Sequence, residues 1–228
     1  MNNLTRVEET LNGLGYQIVY NEVVVSDGYR LKQLNFVPDV IFDLGANVGV
    51  FTRYARQLFP NALIVAVEPD DDNFENLLKF TQEDEKLVFI KAAISVNPVY
   101  KTLNEPNGSL QKYLSNGLGY QDMENDARAI PHEVELTMPS DLYSHFVKDG
   151  QKFIFKIDIE GNEHAIFTHE PSMNVLRMAD YICAEVHFFA QKTELLEEVR
   201  QQSIAALESL NQTHNCELKD YAFWATKK

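Results

Sequence analysis

Two apolar stretches of this chain end in residues that can move protons. Lys156, Asp158 and Glu160 close the run KFIFKIDIE (152–160), and Glu185 and His187 stand near the end of YICAEVHFF (181–189). Side chains alternate along a strand, so Lys156 and Asp158 share one face, as do Glu185 and His187. Charged groups on a face of an otherwise apolar strand are costly unless they are paired or put to use. Imidazole titrates near neutrality and a carboxylate can orient it, so His187 reads as a general base, with Asp158, Glu185 and Glu160 as its acidic neighbours. Structural roles compete with this. Lys156 and Glu185 can form a buried ion pair between strands, Glu160 can complement a helix dipole, and Glu163 and His164 can be solvated first-turn residues. A carboxylate and imidazole cluster also suits a divalent cation, although the sequence holds no compact ligand motif.

A second constellation lies earlier, in Asp43-Leu44-Gly45-Ala46-Asn47-Val48-Gly49. It follows the run DVIFDLG (39–45) and opens a helix-like segment, the place where an open parallel sheet binds ligands. Gly45 lets the backbone turn tightly beside a ligand, and Gly49 lets the helix pack closely on the sheet. Asp43 is placed to pair with a ligand ammonium group. Glu68, before Pro69 and 23 positions after Gly45, would accept hydrogen bonds from two ribose hydroxyls. Ala92 and Ala93, at the end of a third strand, would leave flat room for an adenine ring or simply pack the sheet. A dinucleotide is the rival ligand, but Ala46 and Asn47 leave the G-x-G-x-x-G fingerprint incomplete. An acidic loop is also awkward beside a pyrophosphate, whereas a zwitterionic sulfonium cofactor tolerates it.

The elements that must position these groups alternate in type. Strand-like runs at 39–45, 62–69 and 86–95 are separated by helices, the first with Val48, Phe51, Ala55 and Leu58 on one face until Pro60 stops it. A long insert rich in Asn, Gly and Pro (97–135) follows, longer than ordinary connections and so expected to be functional. A short helix near 139–147, the strands 152–160 and 181–189 with a helix between them, an amphipathic helix over 193–210 and a terminal hairpin complete the chain. Seven strands, five in α/β alternation and two closing as an antiparallel hairpin, predict a Rossmann-like α/β sheet. The expected organisation is an N-terminal extension (1–38) ahead of one domain (39–228).

Composition narrows the partners. Twenty basic residues against 34 acidic ones give a net charge of −14, a field that repels nucleic acid and anionic membranes. No apolar run suits a signal peptide or a bilayer span, so a cytoplasmic protein is expected. Cys183 and Cys216 lack metal or redox spacing and read as buried thiols.

Taken together, VIFDLGANVGVF, VAVEPD, FKIDIEGNEHAIF and CAEVH resemble the FkbM family of methyltransferases, over about residues 39–189. The resemblance implies a class I methyltransferase fold, S-adenosylmethionine as cofactor held by Asp43, Gly45, Ala46, Asn47, Gly49, Glu68, Pro69, Ala92, Ala93 and Asp158, and a hydroxyl oxygen as acceptor. Asn107-Gly108-Ser109-Leu110 is similar to a serine-containing stretch of that family. Asn97-Pro98-Val99-Tyr100 superficially matches the Asn-Pro-Pro-Tyr motif of amino-group methyltransferases but follows the third strand and is read as a turn. The expected acceptor is a small molecule or saccharide, with a homo-oligomer as a further expectation. The rivals are a dinucleotide-dependent oxidoreductase and a binding module without turnover.

Overall fold

A computed structural model describes residues 16–81, 84–96, 102–104, 113–114, 132–187 and 193–228. Both Asn97–Tyr100 and Asn107–Leu110, with most of the insert, lie outside the described residues. Seven strands form the main sheet: β1 (Val40–Leu44), β2 (Leu63–Val67), β3 (Leu87–Ile90), β4 (Phe153–Ile157), β5 (Tyr181–Glu185), β6 (His214–Lys219) and β7 (Ala222–Lys227). Their order across the sheet is β6-β7-β5-β4-β1-β2-β3. All neighbours are parallel except the pairs made by β7, which runs antiparallel to β5 and β6. The expected fold class is therefore the observed one, a seven-stranded Rossmann-like α/β sheet with a C-terminal antiparallel hairpin.

Chain direction across the sheet reverses between β1 and β4. From β1 the strands step outward through β2 and β3, and the chain then returns to place β4 on the other side of β1. Crevices for ligands open at such a switch point, beyond the carboxyl ends of the strands. The chemically suggestive residues of the sequence cluster there.

Alternation along the strands divides the core into two layers. Val40, Phe42 and Leu44 of β1 join Phe155 and Ile157 of β4, Ile182 of β5, and Ile166, Phe167, Leu176 and Leu207 on one face. The covering helices there are α4 (Pro139–Phe146), α5 (Glu163–Thr168), α6 (Glu170–Leu176) and α7 (Thr193–Ser209). On the other face Ile41, Ile64 and Ile154 meet Phe51 and Tyr54 of α2 (Val50–Leu58). The N-terminal segment joins that second layer through Tyr16, Tyr20, Val23, Val24, Tyr29 and Leu31. A short helix in it, α1 (Gln17–Tyr20), runs on into a wider turn at Asn21–Val25.

The third strand is shorter than expected. Only Leu87–Ile90 pair with β2, while Ala93–Ile94 leave the sheet and pair in parallel with Leu136–Thr137. Ala92 and Ala93 thus stand past the strand end. The apolar run 86–95 conceals this break because both pieces pack on the core, Leu87, Ala92, Ala93 and Ile94 buried and Val88 and Ile90 partly so, and core contact rather than sheet membership sets the hydrophobic pattern.

Candidate active site

Gly45 and Asp158 make the tightest approach at the switch point. Gly45 has φ +79°, and a Cβ there would lie 1.8 Å from the backbone oxygen of Asp158. The loop must turn this sharply because the amides of both Gly45 and Ala46 bond to the Val67 carbonyl, at 3.0 and 2.9 Å. The backbone just after β4 is thus itself enough to require glycine here, and the same residue borders the cavity described below. Gly49 is favoured by its left-handed φ of +90°, and a Cβ there would also push on the Leu77 Cδ1 of α3 (Asp71–Thr81), 2.7 Å away.

Asp43 is engaged inside the protein. It is fully buried, its Oδ2 accepts from Thr52 Oγ1 at 2.5 Å, and its Oδ1 lies 3.3 Å from Lys156 Nζ. Asp43 and Lys156 are register partners across β1 and β4. The register also explains why the alternative, a Lys156–Glu185 ion pair, does not form: Lys156 stands opposite Cys183 on β5, two residues short of Glu185. The ammonium instead reaches Asp43, Asp158 Oδ2 at 3.6 Å and the Gly45 carbonyl at 2.6 Å. Burial alone would lower its pKa, but Asp43, Asp158 and Glu185 more than offset this and hold it above the ordinary lysine value.

Glu68 anchors the loop from the other side. Its Oε2 accepts from the Asn47 amide at 2.8 Å and its Oε1 from the Asp70 amide at 3.0 Å. Burial raises its pKa to about 7, although those backbone bonds pull the other way. Asn47 is left-handed, at φ +49°, and its own Oδ1 accepts from Val48 N.

A cavity of about 350 Å³ opens at the carboxyl ends of β1 and β4. Gly45, Ala46 and Asn47 form one wall, and Lys156, Asp158, Glu160 and Glu185 another. Tyr16, Glu22 and Tyr29 line it from the N-terminal segment. Of the residues expected to touch a cofactor, Gly45, Ala46, Asn47 and Asp158 line this cavity, whereas Asp43, Gly49, Glu68, Pro69, Ala92 and Ala93 do not. A second cavity of about 210 Å³ adjoins it, bounded by the β6–β7 turn with Lys219, Asp220 and Tyr221. Glu22, Tyr29 and Glu185 line both.

The acid-rich cluster is knit by direct contacts. The Tyr29 hydroxyl lies 3.0 Å from Asp158 Oδ2 and 3.1 Å from Glu185 Oε1. Burial, then the charges of Asp158 and Glu22, raise Glu185 to about 7, with His187 and Lys156 opposing. His187 Nδ1 lies 3.2 Å from Glu163 Oε1, and its Nε2 lies 3.7 Å from both Glu160 Oε2 and Glu185 Oε2. Burial would lower the imidazole pKa, yet the bond to Glu163 and the charges of Glu163, Glu160 and Asp158 raise it to about 9. Glu163, Glu160 and Asp158 thus favour the imidazolium form of His187 near neutral pH, the form that cannot take up a further proton.

Two neighbours also differ from expectation. Glu163 is not solvated but fully buried, accepting from the amides of Ile159 and Gly161 at 2.9 and 3.0 Å. That holds the loop in which Glu160 adopts φ +54°. His164 is buried as well and shares a 2.9 Å hydrogen bond with Ser203 of α7.

One ligand atom from each of Asp158, Glu185 and His187 lies within 4.8 Å of the others, a spacing that a divalent cation can bridge. The protein already supplies the compensation: the Lys156 ammonium and the Tyr29 hydroxyl engage Asp158, and the imidazolium faces Glu185. The cluster reads as carboxylates balanced by the chain's own cations and donors.

Tyr29 is the residue that sequence reasoning missed. Asp27 and Arg30, on either side, are both left-handed, at φ +51° and +54°. Asp27 Oδ1 accepts from Tyr54 and the Leu31 amide, while Arg30 lies over the Trp224 ring and makes a paired bond to Glu217. Tyr181 donates to the Tyr29 carbonyl and Trp224 to that of Gly28. The local signals were the recurring tyrosines among apolar residues and the Asp-Gly pair, which mark a packed, turning segment without saying where it packs.

The model of the FkbM methyltransferase domain matches residues 43–211. The chain belongs to this family. Methyltransferase sdnD of Sordaria araneosa is 26% identical over 172 residues, covering 64% of this chain and 66% of that protein's length. Among solved structures, a protein of Corynebacterium glutamicum superposes with a TM-score of 0.53 at 9% identity, covering 100% of this chain and 90% of its own. Fibrillarin of Aeropyrum pernix, solved with natively bound S-adenosyl-L-methionine, gives a TM-score of 0.46 at 12% identity and covers 91% and 76%. Within this FkbM chain, and among the described residues, no helix is long and apolar enough to cross a membrane.

Proposed function

We propose that the chain transfers a methyl group from S-adenosylmethionine to a hydroxyl of a small, uncharged acceptor, with Glu185 receiving the acceptor's proton. The observation that carries the reading is that Glu185 stands on the wall common to the two cavities at the switch point. The larger cavity suits the cofactor and the smaller one admits an acceptor.

The residues present fit the cofactor. Asp158 Oδ1 is buried with no hydrogen-bond partner, although its side chain borders the larger cavity, so it is placed to accept from an ammonium group. Glu22, Asp158, Glu160 and Glu185 around that cavity favour a cation such as a sulfonium. The same charges disfavour the pyrophosphate of a dinucleotide, and about 350 Å³ is near the lower end of small-molecule sites. Gly45, Ala46 and Asn47 would hold the cofactor's methionine portion. Glu68 would act through Asn47, whose amide it already fixes.

When bound, the cofactor supplies an electrophilic methyl group, whose transfer to oxygen leaves a neutral thioether and one proton to be removed. A base works best with a pKa near the operating pH, and Glu185, raised to about 7, meets that condition. His187, held as the imidazolium, keeps Glu185 from rising further. Lys156 fixes the Gly45 carbonyl and so the loop. The acidic walls and the adjoining turn with Lys219, Asp220 and Tyr221 favour a neutral polyhydroxy acceptor over a phosphorylated or carboxylated one.

Calorimetric titration with S-adenosylhomocysteine tests the reading: binding is expected, with clear weakening in Asp158→Asn, while a nicotinamide dinucleotide gives no heat. Transfer of labelled methyl to a neutral polyol, undiminished by chelator, completes it. Activity lost to chelator and restored by manganese or magnesium would return the Asp158, Glu185 and His187 cluster to metal chemistry. Cofactor binding without transfer to any hydroxyl acceptor would leave a binding module.

A further inference from the structure

The phenol of Tyr29 faces two carboxylate oxygens, Asp158 Oδ2 at 3.0 Å and Glu185 Oε1 at 3.1 Å, and it has one proton to give. Were both carboxyls ionised, the hydroxyl would satisfy one oxygen and turn its lone pairs to the other. Both contacts are good hydrogen bonds only when one carboxyl carries a proton of its own. Lys156 Nζ lies 3.6 Å from Asp158 Oδ2, which makes Asp158 the better seat for the negative charge. We infer that Tyr29 is a positioning residue through which Asp158 and Glu185 share one proton: protonated Glu185 donates to the phenol oxygen, and the phenol donates to the Asp158 carboxylate.

The surroundings agree from every side. Burial first, then the charges of Asp158 and Glu185, keep the Tyr29 phenol well above its usual pKa, so it remains a neutral hydroxyl. Glu185 is faced by Asp158 and Lys156 from the end of β4, by Glu22 from the N-terminal segment, and by His187 beyond its own strand. Tyr221, on the β6–β7 turn, senses both Glu22 and Glu185. The phenol ring cannot swing away easily: it packs edge-on against Phe51 at 5.2 Å, and Tyr181 holds its backbone. An element outside the parallel α/β core thus supplies the group that links two strand-end carboxyls.

The role assigned to this link rests on the proposed methyl transfer, since the proton that Glu185 receives would be held by Tyr29 and balanced on Asp158. The proton sharing itself is measured on the free protein. Carboxyl-labelled glutamate and aspartate NMR, in full-length wild type and Tyr29→Phe, reads the titration of Glu185. The singly protonated cluster has two hydrogen bonds through Tyr29 and the fully ionised one has one, so removing the hydroxyl costs the protonated form one bond more. A downward shift of about one pH unit is expected, one ordinary hydrogen bond's worth. A donor that merely steadied ionised carboxylates would give the opposite sign. An unchanged or raised Glu185 titration in folded Tyr29→Phe overturns the inference.

If Tyr29→Phe does not fold, Glu185→Gln carries the test, because its amide nitrogen donates permanently to the phenol oxygen. That variant is expected to melt at or above the wild-type temperature at pH 8, and a lower melting temperature overturns the donor assignment. Failure in either experiment leaves the methyl-transfer reading standing. Absent cofactor binding, in turn, removes that reading without touching the proton sharing.

Discussion

Asp43 and Lys156 face each other in register on adjacent parallel strands, with carboxylate Oδ1 and ammonium Nζ 3.3 Å apart and both side chains buried. The pair ties β1 to β4 where the loop begins, because the same ammonium also bonds to the Gly45 carbonyl. Removing one partner strands a buried charge, which typically costs about 3–5 kcal/mol. Lys156→Met is expected to lose stability on that scale in urea denaturation. The double substitution Asp43→Leu with Lys156→Met should recover much of it, since a buried ion pair gains little over a packed apolar pair. A single variant as stable as wild type would mean that water reaches the site.

Gly45→Ala is expected to fail at folding before it fails at binding. The added carbon would lie 1.8 Å from a backbone oxygen at a positive φ, and neither strand can yield without breaking its ladder. Circular dichroism and thermal melting would show a large loss of stability. A protein of wild-type stability that no longer binds cofactor would return Gly45 to the ligand-contact role.

Stability should fall as pH rises from about 4.5 to 9. Glu68 and Glu185 have pKa values raised from 4.5 to about 7 in the fold, so their contribution is full below 4.5 and lost as pH climbs through 7. His187 is raised from 6.5 to about 9, so its contribution is full below 6.5 and lost through 9. His164 and His214, pushed down by burial, act in the opposite sense near 6.5, which makes the variant difference the decisive quantity. Glu185→Gln should flatten the melting curve between pH 4.5 and 7, and His187→Gln between 6.5 and 9. Parallel wild-type and variant profiles would contradict the assignment.

His187 and Glu185 should also be coupled in the catalytic pH profile. The imidazolium lowers the Glu185 pKa, so its loss in His187→Gln moves the acidic limb of kcat/KM to higher pH. Turnover at alkaline pH should be largely kept, because Glu185, the proposed base, is still present. A uniform drop at every pH, with an unmoved limb, would mean that His187 itself takes the proton.

Much of this protein can be read from its residues in order. The α/β alternation, the loop Asp43 to Gly49, Glu68 at the end of β2, and the acidic ends of β4 and β5 all follow from local pattern, because periodicity and turn chemistry act over a few residues. What each charged side chain does was decided only by the tertiary structure. Whether Lys156 meets Asp43 or Glu185 depends on its register with β1, more than a hundred residues earlier, and with β5, which no local pattern encodes. Whether His187 is neutral or charged depends on Glu160, Glu163, Asp158 and Glu185 converging on one ring, and whether Gly45 faces a ligand or a strand depends on a backbone oxygen of Asp158. Tyr29 is the extreme case: it lies outside the α/β pattern and reaches Asp158 and Glu185 only because Asp27, Arg30 and the C-terminal hairpin fold its segment across the sheet. Local chemistry selects which residues can act, whereas long-range packing sets their distances, their desolvation and therefore their protons.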